Sequence, residues 1–256
     1  MTQDKRPVAL VTGVGRRAGI GAAIVDRLAE DGWDVAFTYW RAYDDRMAWG
    51  RDEQARAAVT EAAEGRGARV LAVEADLARP DAPEQVFARA TAGLGDVRAL
   101  VMAHAESVDS AILDTTLESW ERHFAVNARA VWLLIRQYAL HHRAPHGAGR
   151  IVALTSDHTA GNLPYGASKG ALDRIVLAGA LELKGLGITA NVVNPGPVQT
   201  GWMSEDDVAW ARGRTPLGRN GTPADSANLI AFLCSEQGGW INGRLLHSDG
   251  GFAAAR

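Results

Sequence analysis

Tyr165 and Lys169 stand four residues apart in Tyr165–Gly–Ala–Ser–Lys169, at the opening of a stretch with helical periodicity. That offset puts the phenol and the ammonium on one helix face, about one turn apart. A free phenol, with a pKa of about 10, is a poor acid or base near neutrality, but a neighbouring ammonium favours the phenolate and lowers that value. Tyr165 is therefore a candidate proton donor to a forming alkoxide. Upstream, Ile151–Val–Ala–Leu–Thr155–Ser156 has the pattern of a buried strand ending in hydroxyls. This predicts Ser156 at the carboxyl edge of a parallel sheet, where open α/β folds bind ligands. Its hydroxyl can hydrogen-bond a substrate oxygen.

A second cluster lies near the start of the chain, where an apolar run over 7–12 leads into Gly13–Val–Gly15–Arg16–Arg17–Ala–Gly19–Ile20–Gly21 and then a helical run. In a strand, glycine-rich turn and helix of this kind, the glycines let the backbone approach a pyrophosphate, and the helix amides favour its charge. The plainer alternative is a tight turn that needs glycine for its backbone angles. Enzymes that use NAD usually place a carboxylate at the end of the second strand, to hold the ribose 2′-hydroxyl. Here that end reads Thr38–Tyr39–Trp40–Arg41. Arg16, Arg17 and Arg41 can instead pair with a 2′-phosphate, so NADP(H) is favoured over NAD(H), unless these arginines are merely solvated. A bound oxidised nicotinamide would add to the effect of Lys169 on the phenol.

The elements that must position these groups follow from hydrophobic periodicity. It predicts strands over 7–12, 34–39, 69–74, 99–103, 150–155, 188–194 and 245–248. Helices are predicted over 19–31, 53–64, 82–93, 117–141, 165–186 and 224–235. Alternation of short β-branched runs with helical stretches implies an α/β fold. The expected architecture is three-layered and Rossmann-like: a doubly wound parallel sheet of about seven strands with helices on both faces. The 256 residues fit one domain. Residues 196–222 lack clear periodicity and are read as a mobile substrate lid.

Composition narrows the function. A formal net charge of -3 gives no electrostatic footprint for nucleic acid. Cys234 is the only cysteine, so the chain forms no internal disulfide, and the cytoplasm is the expected compartment. Met1–Pro7 is polar with no secretory apolar core, and no apolar run is long enough for a bilayer. The seven histidines form no metal-ligand pattern, so no metal is expected. Asp157 and His158 adjoin Ser156 but make no hydrolase elbow. His158 is either a pocket residue or an exposed loop histidine. Basic residues and histidines over 136–150 suit a solvated helix end better than a docking face for an acidic carrier protein. Trp202 and Trp210 read as packing residues.

Taken in order, these motifs resemble the classical short-chain dehydrogenase/reductase family, particularly its 3-oxoacyl-[acyl-carrier-protein] reductase-like members. The resemblance spans nearly the whole chain: Thr12–Gly13 with Gly19–Ile20–Gly21, Asp76–Leu77, Asn127, Ser156, Tyr165 with Lys169, Asn194–Pro195–Gly196, and Gly218–Arg219 to Asp249–Gly250–Gly251. It implies that Asp76 and Leu77 contact the adenine, with Ala103 in the adenosine-side wall. Pro195, Gly196, Val198 and Thr200 would border the nicotinamide. Lys169 would hold its ribose, and Asn127 would hold a water linking Lys169 to solvent. Helices near 117–141 and 165–186 would form a homodimer or homotetramer.

Three departures stand out. Five residues, not three, separate the Thr-Gly pair from Gly-x-Gly; Met102–Ala–His–Ala105 replaces Asn-Asn-Ala-Gly; and only eight residues separate Ser156 from Tyr165. The expected function is hydride transfer between NADP(H) and a ketone or secondary alcohol, an acyl-thioester ketone included. The rivals are an alcohol dehydrogenase working oxidatively and a non-catalytic dinucleotide-binding module.

Overall fold

The computed structural model describes residues 6–255. Most of the Met1–Pro7 reading therefore lies outside the described residues. In chain order the elements are β1 (Val8–Thr12), α1 (Ile20–Glu30), β2 (Asp34–Tyr39), α2 (Arg41–Asp44), α3 (Ala55–Gly65), β3 (Val70–Glu74), α4 (Ala82–Leu94) and β4 (Val97–Met102). There follow α5 (Leu117–Phe124), α6 (Ala130–His141), β5 (Gly149–Leu154), α7 (Leu163–Glu182), β6 (Ile188–Asn194), α8 (Glu205–Arg214), α9 (Pro223–Cys234) and β7 (Leu245–His247).

The strands form one parallel sheet in the order β3-β2-β1-β4-β5-β6-β7. β1 and β4 are neighbours although far apart in sequence, and the chain reverses its winding there. That leaves a crevice at their carboxyl ends. Both faces of the sheet are covered, which explains strands that are apolar at consecutive positions. Val8 and Leu10 of β1 face a core shared with α4, α6 and α7, while Ala9 and Val11 face one shared with α1, α3 and α9.

Each predicted strand and helix is present within a few residues, with three differences. The stretch 117–141 is broken by a π-turn over Ala125–Arg129, between α5 and α6. Such a turn adds a residue to the helical repeat and leaves no trace in hydrophobic spacing. Arg41–Asp44 forms a short helix too brief to show periodicity. The third difference is α8, inside the region read as irregular. It lacks an apolar stripe but carries a capping box, with Ser204 and Asp207 bonding each other's backbone amides. That Ser-x-x-Asp spacing was the signal available in the sequence. No helix among the described residues is long and apolar enough to cross a membrane.

Candidate active site

β5 ends at Leu154, and Thr155 and Ser156 continue past the sheet's carboxyl rim. α7 opens opposite, with Pro164 in its first turn, where a missing N–H costs nothing. The short connection between them lies against the helix because residue 166 is glycine. A Cβ there would collide with the His158 carbonyl oxygen. Asn162, which ends the connection, donates to Ser107 Oγ at 3.0 Å and to Asp109 Oδ1 at 2.6 Å. The shortened loop is thus pinned to the segment after β4, and it brings Ser156 and Tyr165 into hydrogen-bonding reach. His158 is exposed, yet its ring lies edge-on to Tyr165 with centroids 6.5 Å apart.

Lys169 is 2% exposed, and its Nζ donates to the Leu154 carbonyl at 2.8 Å. The ammonium sits 5.6 Å from the Tyr165 ring centroid. Burial pulls Lys169 down to about 8, opposed by the Asp173 carboxylate. The expectation that Lys169 lowers the phenol does not hold among the protein's own groups. Burial pushes Tyr165 up to about 12, and it is the Ser156 hydroxyl that opposes the rise. Desolvation of a phenolate outweighs an ammonium whose charge is directed at a backbone carbonyl.

Asn127 lies in the π-turn and is fully buried. Its Oδ1 accepts from the Glu106 amide at 2.8 Å, and its Nδ2 donates to the Glu106 carbonyl at 2.8 Å and to Ser168 Oγ at 2.9 Å. The Asn127 side chain therefore clamps the segment after β4 onto α7. With the amide so engaged, a water between Lys169 and solvent would have to use other Asn127 atoms. His104 holds the same wall from the other side. Its Nε2 donates to the Val126 carbonyl at 3.0 Å, and its Nδ1 accepts from Thr12 Oγ1 at 2.6 Å. Burial, with Lys169 nearby, pulls its pKa to about 3, so the ring is neutral. This histidine cross-links the wall at the place where the sequence has no asparagine pair.

A cleft of about 250 Å³ runs along the carboxyl rim across the β1/β4 crossover. Gly13, Gly15, Arg16, Gly19 and Ile20 line one end, and Asp76, Leu77 and Ala103 line the adenosine side. Tyr165, Lys169, Pro195, Gly196, Val198 and Thr200 line the other end. Gly13 has φ +84°, and a Cβ on it would come within 2.5 Å of the His104 backbone, so only glycine admits the close approach of the two strand ends. At the start of α1 no side chain caps the helix and no acid occupies its first turn. These residues suit an anionic dinucleotide, with the free amides and Arg16 toward phosphate.

Two of the three arginines are not brought to this cleft. Arg17 donates to Asp52 and Arg41 to Glu74, both at the surface, because each finds a carboxylate partner closer than the cleft. Arg16 does line it, donating to the Thr200 carbonyl at 2.9 Å. Its guanidinium lies 4.5 Å from the Trp49 ring centroid and 5.8 Å from that of Trp202. The two indoles stack at 5.3 Å with an interplanar angle of 11°. The lengthened glycine turn thereby joins the segment after β2 to the region read as a lid.

Two carboxylates in the cleft escaped the sequence reading. Asp44 accepts from Trp49 Nε1 at 3.0 Å and lies 3.9 Å from Arg16, and burial raises its pKa. It stands beyond the strand end where an acid was sought, and the turn of α2 returns it. Glu106, 2% exposed, accepts a forked pair from Arg46 at 3.0 to 3.1 Å and a bond from Arg122 at 3.2 Å. No group of three or more histidines, cysteines or acids among the described residues could hold a metal ion.

The family model described as Enoyl-(Acyl carrier protein) reductase matches residues 13–253. An uncharacterized oxidoreductase, YjdA, of Bacillus subtilis is 34% identical, over 98% of this chain and 99% of the relative. An NADPH-dependent aldehyde reductase-like protein of Arabidopsis thaliana chloroplasts is 34% identical, over 96% of this chain and 93% of its own. Among solved structures, a blue fluorescent protein from a metagenomic library, in complex with NADPH, superposes with a TM-score of 0.86. It is 35% identical, covering 98% of this chain and 100% of that one. With its seven-stranded doubly wound sheet and these relatives, the chain belongs to the short-chain dehydrogenase/reductase family of oxidoreductases.

Proposed function

We propose that the protein is an NADP(H)-dependent ketoreductase that interconverts a ketone, including an acyl-thioester ketone, and a secondary alcohol. The observation that carries this reading is the convergence of Tyr165 and Lys169 at one end of the cleft whose other end holds the glycine turn and Arg16, with the Ser156 hydroxyl beside the Tyr165 phenol. Asn127 belongs to the catalytic group as the residue that sets its wall. Bound in the cleft, the cofactor supplies the hydride. Ser156 donates a hydrogen bond to the substrate oxygen as negative charge develops there. Tyr165 gives that oxygen its proton, and its high pKa keeps the phenol in the acid form that reduction requires. Lys169 would orient the ribose of the bound cofactor.

Support for NADP(H) comes from Arg16 and from the NADPH bound by the structural relative. Asp44 favours a second reading, in which a carboxylate beside the glycine turn accepts from a ribose 2′-hydroxyl and NAD(H) is used. Catalytic efficiencies with NADPH and NADH decide between them. The exposed Trp132 and Leu140 of α6 and Leu181 of α7 suit a homodimer or homotetramer through these helices, tested by sedimentation. The deciding assay is a panel of ketones and β-ketoacyl thioesters with NADPH, followed by Tyr165→Phe on any substrate found. Turnover undiminished in that variant would refute the mechanism.

A further inference from the structure

The face of α7 that carries Tyr165 and Lys169 continues one turn further to Asp173. Asp173 is partly buried, and its Oδ1 is wholly enclosed with no well-aligned hydrogen bond. The same is true of Oγ1 of Thr155, which is 3% exposed. Thr155 directly follows Leu154, whose carbonyl receives the Lys169 ammonium. The rim of β5 thus meets α7 with a carbonyl for the cation and a hydroxyl near the carboxylate. An enclosed acid in this place is costly unless its charge is used.

The groups facing Lys169 are few. From its own helix come Tyr165, a neutral phenol, and Asp173; from the end of β4 comes His104, a neutral imidazole; from β5 comes the Leu154 carbonyl, with the Thr155 hydroxyl just beyond it turned to Asp173. Ser168 and Asn127, on the π-turn side, are uncharged. Asp173 is thus the anion among them, with Arg174 acting on it from the exposed side of α7.

We propose that Asp173 is a positioning residue for Lys169: its carboxylate, one turn beyond and against the Thr155 hydroxyl, keeps the buried ammonium charged while Tyr165 delivers its proton. This rests on the ketoreductase reading for its kinetic meaning, but not for its physical test. Burial and the Asp173 carboxylate act on Lys169 in opposite directions, and burial raises the pKa of Asp173 while Thr155 and Lys169 oppose that rise and favour its ionised form.

The chain has three lysines, Lys5, Lys169 and Lys184, so ¹⁵N-lysine labelling of the full-length protein gives three side-chain signals. Lys5→Arg and Lys184→Arg assign the remaining one to Lys169. Titrated by NMR, Asp173→Asn is expected to lower the Lys169 midpoint by about one pH unit, a roughly tenfold change in acid constant, with the other two unmoved. Asp173→Glu should keep the wild-type midpoint, and Asp173→Ser replaces the asparagine variant if that one fails to fold. On any ketone the enzyme reduces, the alkaline limb of the kcat profile should move down with the NMR midpoint. A Lys169 midpoint unchanged in a folded Asp173→Asn protein overturns the proposal. If no carbonyl compound is reduced, the ketoreductase reading fails while the NMR result still decides the role of Asp173.

Discussion

His104 Nδ1 lies 2.6 Å from Thr12 Oγ1, so a neutral imidazole ties the end of β4 to the end of β1 across the point where the sheet reverses its winding. The bond fixes the tautomer, because Nε2 must carry the proton it donates to Val126.

Acid should therefore weaken the fold through this residue. The folded pKa, about 3, is below the ordinary value of 6.5, so below pH 6.5 the unfolded chain binds a proton that the folded one refuses. Stability contributed above pH 6.5 is lost as the pH falls toward 3, by about 1.4 kcal/mol per unit. Urea midpoints at pH 7, 6 and 5 should fall more steeply for the wild type than for His104→Asn. Parallel slopes would show that His104 is not buried in the neutral form.

Tyr165→Phe should reduce kcat for ketone reduction by about 10²- to 10⁴-fold, the contribution of a positioned general acid. Ser156→Ala should cost about 10²-fold, as the loss of one donor to a developing oxyanion does. Steady-state kinetics at saturating dinucleotide measures both. Loss confined to KM in either variant would place that residue in substrate binding alone.

The stacked indoles of Trp49 and Trp202 with Arg16 beside them should hold the segment after β2 against residues 200–202. A double-mutant cycle on Trp49→Ala and Trp202→Ala should give a coupling of about 1 kcal/mol in chemical unfolding. Each single variant should also raise the dinucleotide Kd, because Arg16 loses its support. Additive stabilities would mean that the contact contributes nothing.

Glu106 is a buried carboxylate held by two half-exposed arginines. Replacing both Arg46 and Arg122 by alanine should destabilise the protein by about 3 kcal/mol or more, since an enclosed charge is left unpaired. Either single replacement should cost less than half of that. Adding Glu106→Gln to the double variant should recover much of the loss, which thermal or urea unfolding would reveal.

Asp44→Asn removes a negative charge 3.9 Å from Arg16. If NADP(H) is the cofactor, the kcat/KM ratio of NADPH over NADH should rise by about tenfold, because repulsion of the 2′-phosphate is relieved. A ratio shifted toward NADH would contradict this account of the site.

The sequence by itself determined what local chemistry decides. The strands were legible because both faces of the sheet are buried, so that residues such as those of β1 are apolar without interruption. The glycine turn announced its need for close backbone approach, and the Tyr165–Lys169 pair lies on one face by the helical repeat alone. Tertiary structure decided everything that depends on a partner distant in the chain. Arg16, Arg17 and Arg41 are alike in sequence, yet the nearness of Asp52 and Glu74 takes two of them to the surface and leaves one in the cleft. His104 replaces an asparagine pair only because Thr12 and Val126 converge on it, and Asp44 enters the cleft only because α2 turns back. Periodicity reports which face of an element avoids water. It carries no record of which charge meets which, since such pairings arise only when segments dozens of residues apart are brought within a few ångströms.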